Sequence, residues 1–399
     1  MQKKLIALAV ASLASGAAFA QTNVTMYGIA DAGYAYSTGD AGSGIRNVAG
    51  VPVRVNVPGT NTFSGIVSGI LSGSRLGFRG EEALGNGLKA IFTLEYALDI
   101  DGNYGLGNSA SGLQSRQQFV GLSGATWGTV ALGRQYSPGY QATVNNDPMG
   151  GALVESQSFL SANAGYTITP NSPARWDNAL TYTSPNWGGF SGKAIYSFGE
   201  TTDAAGTYND KNVSVTDNSK WAVGANYANG PLNVDLVYQA RDNIRPSGTL
   251  AINSFDTQEW YVGASFDLKM VKLMGSWQGM NVSNSSRLIN NSQVDSQLWQ
   301  VGAVIPVLAA SNIHLGYAQL MMDGNNRATV PLTGDSQSAT LAWTTALSKR
   351  TTFYAGYVWA SNDKKGIAAA PVGGGLLTGA IGSRGEDNNT VLAGIRHTF

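Results

Sequence analysis

Residues 72–95 read SGSRLGFRGEEALGNGLKAIFTLE. In the first half Arg75, Gly77 and Arg79 alternate with Leu76 and Phe78. Residues 82–87 make a tight, glycine-containing connection. In the second half Leu88, Ala90, Phe92 and Leu94 face one way, and Lys89, Ile91, Thr93 and Glu95 face the other. A period of two belongs to a half-buried β-strand, and the 3.6-residue period of an amphipathic helix is absent. The stretch therefore reads as a hairpin with one apolar face, its arginines and Glu95 on the opposite face.

The same alternation continues outward in both directions. Over 23–34, Val24, Met26, Gly28, Ala30, Ala32 and Tyr34 share one face, and Thr25, Tyr27, Ile29, Asp31 and Gly33 the other. Segments 221–227, 232–238, 260–268, 298–304, 313–321, 341–347, 353–359 and 391–399 behave alike. Tight connections at 82–87, 123–127, 184–188, 229–231, 267, 306–311 and 348–350 alternate with long polar ones. The long ones cover 37–73, 99–114, 137–174, 201–218, 242–256, 281–295, 323–337 and 362–387. The strands between them number sixteen, with both chain ends on the short-turn side. At about 10 residues each, such strands are long enough to cross a bilayer at a tilt.

Residues 1–20 stand apart. A basic start with Lys3 and Lys4, an apolar run over 5–14 and the small-x-small triplet Ala18, Phe19, Ala20 describe a secretory signal peptide cut after Ala20. The mature part, 21–399, forms one domain. It loses Lys3 and Lys4, leaving 23 basic against 25 acidic residues, a formal charge of −2. Charged residues are only 13% of the chain, about half the usual quarter. Cysteine is absent, which excludes a disulfide scaffold, a cysteine-ligated metal centre and a thiol nucleophile. The balanced charge excludes a broadly basic nucleic-acid binder. No later stretch has the 18 or so consecutive apolar residues of a spanning helix.

Alternation alone fits two architectures. A soluble sandwich puts its apolar face inside; a lipid-embedded barrel puts it outside and must close so that no backbone group lacks a partner. The even strand count, the strand length, the short/long asymmetry and strand-end aromatics favour the barrel. Those aromatics are Tyr34, Tyr36, Tyr96, Trp127, Trp176, Trp187, Tyr238, Trp260, Trp299 and Trp359.

Five stretches carry a family resemblance: VTMYGIADAG at 24–33, the 72–95 hairpin, SRQQFVGLS with GTVALGRQ at 115–123 and 128–135, RWDNALTYTSP at 175–185, and AGIRHTF at 393–399. In this order and spacing the chain resembles the trimeric Gram-negative porins of the neisserial and β-proteobacterial type. The resemblance implies an all-β fold: a 16-stranded antiparallel transmembrane β-barrel with short periplasmic turns, long external loops and a third loop folded into the lumen. It implies an outer-membrane homotrimer among lipids, which passes ions and small hydrophilic solutes by size and charge, without cofactor or enzymatic activity. Phe399 would present the last strand to the barrel-assembly machinery.

The resemblance also implies that loop acids, here Asp147 and Glu155, face wall arginines across a constriction. Arg75, Arg116 and Arg175 match those arginines, and Glu95 matches an acid that braces them. Alternation supports the basic wall independently. An arginine on the lipid face at mid-membrane costs roughly 2–4 kcal/mol, so Arg75, with Arg79 on the same face, should point to the lumen. Arg116 and Gln118 lie opposite Phe119, Arg175 opens strand six, and Asp31 should face the lumen. Arg134 shares parity with Val130 and Leu132 and is expected at the strand's upper end. Opposed fixed charges in an opening narrower than the ~8 Å Debye length make a poorly screened transverse field, and three wall arginines against few loop acids lean toward anions.

Three alternatives remain open on the residues alone. A barrel enzyme could use His314 as a base, although no Gly-x-Ser-x-Gly or phosphate-loop sequence accompanies it. A substrate-specific channel would carry a binding track. A soluble exported sandwich would need no detergent. The two histidines, His314 and His397, stand far apart, and no acid/histidine cluster has metal-ligand spacing.

Overall fold

The computed structural model describes residues 23–40, 43–48, 51–56, 60–102, 114–199, 219–244, 255–283, 294–324, 334–362 and 387–399. The expected leader over 1–20 lies outside the described residues. The wall begins with β1 (Asn23–Asp40) and β2, which is split into Thr60–Ser68 and Arg75–Gly85. It continues with β3 (Leu88–Ala97), β4 (Ser115–Gly124), β5 (Gly128–Tyr136), β6 (Arg175–Thr183) and β7 (Phe190–Ser197). Next come β8 (Lys220–Asn229), β9 (Leu232–Ile244), β10 (Phe255–Asp267) and β11 (Lys272–Ser283). The last five are β12 (Val294–Leu308), β13 (Ser311–Gly324), β14 (Gly334–Ala346), β15 (Thr351–Asn362) and β16 (Asp387–Thr398).

The two halves of β2 run in line along one edge of β1: Ala32–Asp40 pairs with the upper half and Asn23–Ile29 with the lower. Seventeen paired segments thus make sixteen wall strands. The barrel closes where β1 pairs with β16, from Ile29↔Thr398 to Thr38↔Asn389. Phe399 extends the closure, exchanging backbone hydrogen bonds of 3.0 and 3.1 Å with Gly28. Closure leaves no sheet edge, the condition for a sheet in lipid. A separate hairpin, Ser43–Val48 with Val51–Asn56, lies between β1 and β2 in the chain.

Alternation now has a direction. On β14, Leu341 is 51% exposed while its neighbours Thr340 and Ala342 are 4% and 3% exposed. Val24, Met26, Val120, Leu132, Leu236, Val301 and Ile395 are likewise exposed. The greasy face is outside, where hydrocarbon rather than a core receives it. Aromatics form two outer belts. Phe190 meets Tyr227, and Trp343 meets Phe353, near the short turns. Trp221 with Tyr238, Trp260 with Trp277, and Trp299 with Tyr317 pack further along the strands. Such girdles mark the two interfaces of a membrane barrel.

Trp176 is a correction. It is fully buried and packs with Ala179, Ile195 and Ala222 on the inner side of β6 to β8, with Lys220 above its ring at 5.9 Å. It belongs to no outer belt. The interior is polar over only part of its circumference. Leu298, Leu320 and Val358 point inward and join a large apolar cluster with loop residues Met149, Val154, Phe159 and Leu160. Ile70 and Leu71, on the inward turn that splits β2, complete it.

Candidate functional site

The segment between β5 and β6 folds into the barrel. Ser137 N–H donates to the Ala174 carbonyl (2.8 Å) and pins the loop's two ends together. Pro138 then starts helix α1 (Pro138–Asn145), where its fixed φ suits a first helical position. Helix α2 (Ser156–Asn163) follows, with Glu155 as its N-cap accepting from Gln157 N–H at 2.8 Å.

This loop lies against the inner wall from β9 to β14. Asp235 on β9 accepts from four asparagine amides: Asn145, Asn146, Asn226 and Asn233, the shortest at 2.7 Å from Asn233. Glu259 on β10 accepts from Thr167 N–H, Thr167 Oγ1 and Ile168 N–H at 2.7–2.9 Å. Gln300 donates to the Asn146 carbonyl at 2.5 Å, and His314 Nδ1 lies 2.7 Å from the Pro148 carbonyl. Gly302 and Gly316 are cross-strand partners on β12 and β13. A Cβ at Gly302 would strike Pro148, and one at Gly316 would strike Glu155 Oε1. The pair of glycines lets the loop approach the sheet backbone closely.

Asp147 and Glu155 therefore sit where sequence reasoning did not put them. They are 2% and 0% exposed, packed between loop and wall, and offer no carboxylate to the opening. Asp147 Oδ1 accepts from Met149 N–H at 2.7 Å. Its Oδ2 and Glu155 Oε1 are buried without a hydrogen-bond partner, and the two carboxyls are near enough to interact electrostatically. Burial, reinforced by the Glu155 charge, pushes the Asp147 carboxyl well above the usual range. Burial also raises Glu155, while the neighbouring Asp147 holds it down. The physical reason is that a bare pair of buried like charges is too costly to persist.

The basic residues gather on the other side. Arg116 is 6% exposed; its Nε donates to Glu95 Oε1 at 2.7 Å and its Nη2 to Tyr136 Oη at 3.0 Å. Arg75 Nη1 lies 3.9 Å from Glu95 Oε2, and its Nε donates to the Gly73 carbonyl at 2.8 Å. Tyr27 also donates to Glu95, at 3.1 Å. Arg175 faces the Tyr136 ring at 5.2 Å and donates to Ser172 Oγ at 3.1 Å. Arg79 lies on the same wall, stacked over Tyr27 at 5.3 Å, outside this cluster. The Tyr140 ring on α1 stacks on Tyr136 with centroids 3.6 Å apart.

Simple alternation fails at Arg116 in an instructive way. Gln118 pairs with outward Leu94, and Ser115 pairs with Tyr96, so an extra residue of β4 is accommodated between them. This bulge turns Arg116 inward and leaves Gln118 on the face of exposed Val120, contrary to the expectation that Arg116 and Gln118 share a face. Arg134 sits where parity puts it, at the strand end, donating to Asp177 at 2.5 Å and to the Ser115 carbonyl at 3.1 Å. Asp31 points inward, yet it is fully buried: it accepts from Tyr354 Oη at 2.6 Å and Ser72 N–H at 2.7 Å, fastening the inward turn that splits β2.

Sequence reasoning missed Asp235, Glu259, Tyr136, Tyr140 and the glycine seat. Asp235 and Glu259 were accessible to it, because each precedes an outward-facing residue, Leu236 or Trp260, on an alternating strand. Among the described residues no group of three or more acids or histidines is placed to hold a metal ion, and no helix is long and apolar enough to cross a membrane.

Comparison with known proteins adds four similarities. A family profile described as Gram-negative porin matches residues 7–365. Outer membrane porin protein 32 of Delftia acidovorans is 32% identical over the full length of both chains. An outer membrane porin protein of Bordetella pertussis is 31% identical over 91% of this chain and 95% of its own. Among solved structures, an anion-selective porin from Comamonas acidovorans superposes with a TM-score of 0.72 and 27% identity, covering 95% of this chain and all of the other.

Proposed function

The chain belongs to the Gram-negative porin family, and from that membership we propose that Arg75, Arg116 and Arg175 form the basic side of its narrowest passage and give it a preference for anions. It is an outer-membrane barrel through which ions and small hydrophilic solutes diffuse passively. The observation that carries the anion reading is a charge count in space. Arg116 and Arg75 share one carboxylate, Glu95, and Arg175 joins them against the Tyr136 ring, while Asp147 and Glu155 are spent on holding the loop. A positive excess in a confined aqueous opening raises the local concentration of anions and opposes cations. The similarity to a porin described as anion-selective supports the same sign.

Arg79 extends the basic wall toward the short turns. Glu95 is a brace for Arg116 and Arg75, and Asp31 a structural anchor facing inward. The channel reading leaves no place for a catalytic base at His314, whose two ring nitrogens lie 2.7 Å from the Pro148 carbonyl and 2.9 Å from Thr344 Oγ1. On the same reading residues 1–20 are removed on export, Phe399 serves as the assembly signal, and three copies associate through outer apolar faces. The test is a zero-current potential across a planar bilayer in a KCl gradient. Arg75→Gln and Arg175→Gln should each lower the chloride-to-potassium permeability ratio, and the double variant should lower it further. A ratio unchanged in the double variant overturns the assignment.

A further inference from the structure

The loop side of the opening is aromatic where an acid was expected. Tyr140 is the half-buried residue on the first turn of α1, while Gly139, Ala142 and Thr143 on the same helix are buried. Its ring covers one face of Tyr136 at 3.6 Å, nearly parallel at 17°. The Tyr136 hydroxyl is held by Arg116, and Arg175 lies against the Tyr136 ring. Tyr140 itself is within electrostatic reach of Arg75 and Arg116. Arg175 Nε is buried without a hydrogen-bond partner, and among the described residues Glu95 is the carboxylate paired with Arg116 and Arg75. A flat π-surface and a set of cationic donors thus meet at one place.

Resting on the anion reading above, we propose that Tyr140 is a specificity-determining residue that makes this passage a transient site for small carboxylates bearing a flat, conjugated face. The carboxylate oxygens accept from Arg75 and Arg175, and guanidinium is well shaped for such oxygens. The ring stacks on Tyr140, which is backed by Tyr136, whose hydroxyl Arg116 holds. Chloride or an aliphatic carboxylate uses only the arginines. An aromatic carboxylate uses both surfaces, and aromatic pairs add a modest, shape-dependent gain. The gain is small enough for the solute to leave, as conduction requires.

The test compares two monocarboxylates of equal charge and similar size in the full-length barrel in planar bilayers. Benzoate is planar, and cyclohexanecarboxylate is not. In the wild-type channel benzoate should block chloride current at a concentration about 2–10-fold lower than cyclohexanecarboxylate, the range expected of one aromatic contact. Tyr140→Leu should bring the two half-blocking concentrations together, and Tyr140→Phe should keep them apart. Equal block in the wild type, or an undiminished difference in Tyr140→Leu, overturns the proposal. Far-UV circular dichroism of the refolded Leu variant separates a lost ring from a lost barrel, and the Phe variant reports on the ring independently. Failure here leaves the chloride-to-potassium ratio and its response to Arg75→Gln untouched. Failure of the arginine assignment shows in that ratio first.

Discussion

The inner wall from β2 to β6 and the inner wall from β9 to β14 meet the same loop in opposite ways. The first carries long charged side chains: Arg75 and Arg116 about Glu95, and Arg175 against Tyr136. The second presents glycine at Gly302 and Gly316 and short-range acceptors at Asp235 and Glu259, all taken up by the loop. One wall groups two of its arginines about a single carboxylate, and the other gives its acids to the loop. The passage is therefore asymmetric in chemistry, although both walls are built from the same alternating strands. A polar group serves solutes only if the protein itself does not satisfy it, since buried polar groups are almost always paired.

The sharpest way to break this contrast is at Arg116, the most buried and most tightly paired residue of the basic wall. Arg116→Met leaves Glu95 buried with Tyr27 and a distant Arg75 as its remaining partners. Removing one member of a buried ion pair costs about 3–5 kcal/mol. A clear drop in thermal unfolding temperature of the detergent-folded barrel is expected, together with lost anion preference. Arg75→Gln should change selectivity with far less effect on stability, because Arg75 is the looser partner at 3.9 Å. If Arg116→Met melts like wild type, Glu95 is not held by Arg116 and the brace must be reassigned.

On the loop-bearing wall the next largest effects come from its seat. Gly316→Leu puts a side chain where Glu155 Oε1 now lies. Overfilling a packed site costs about 1–3 kcal/mol, and here the strain falls on the loop rather than the barrel. The expected result is a larger single-channel conductance with an unchanged far-UV spectrum. Asp235→Leu attacks the same contact from below, leaving amides of Asn145 and Asn146 without their carboxylate. Stranding a buried donor costs about 1–3 kcal/mol, and proteolysis within the loop should quicken. Conductance that stays at the wild-type value in both variants would mean that the apolar cluster alone keeps the loop in place.

The wall was legible in the sequence because a barrel repeats one rule sixteen times. Alternation put Arg75, Arg79, Glu95 and Asp31 inside, and short and long connections came in the right order. Two kinds of information escaped. Bulges reset parity locally, so Arg116 reached the interior by a route that alternation does not encode. The loop's partners are set by tertiary contact: nothing local distinguishes Asp147, which lies near Glu155, from an acid that faces solvent. Trp176 failed for the same reason, since a strand-end tryptophan packs inward or outward according to its neighbours. Glycines on β12 and β13 look like weak strand positions until a loop is laid across them.

The smallest expected effect is the most specific. Asp147 keeps a proton in the docked loop at a pH where a free carboxyl would have lost it, because burial and the neighbouring Glu155 raise its pKa. A detached loop exposes Asp147 to water and restores an ordinary value near 4. Between the ordinary and the raised value the docked state binds more protons than the detached one. Linkage then makes docking strongest at acid pH and progressively weaker as pH rises through that window. Single-channel recordings in one salt at stepped pH should show current noise and brief larger openings increasing toward alkaline pH. Asp147→Asn replaces the titrating carboxyl with an amide that does not titrate, so its noise should be flat across the same range. His314, against the Pro148 carbonyl, and Asp235, beyond Asn146, are the other titratable groups bearing on this segment. A pH slope that survives Asp147→Asn but disappears in His314→Gln assigns the effect to the wall histidine and separates the acid pair from any role in loop closure.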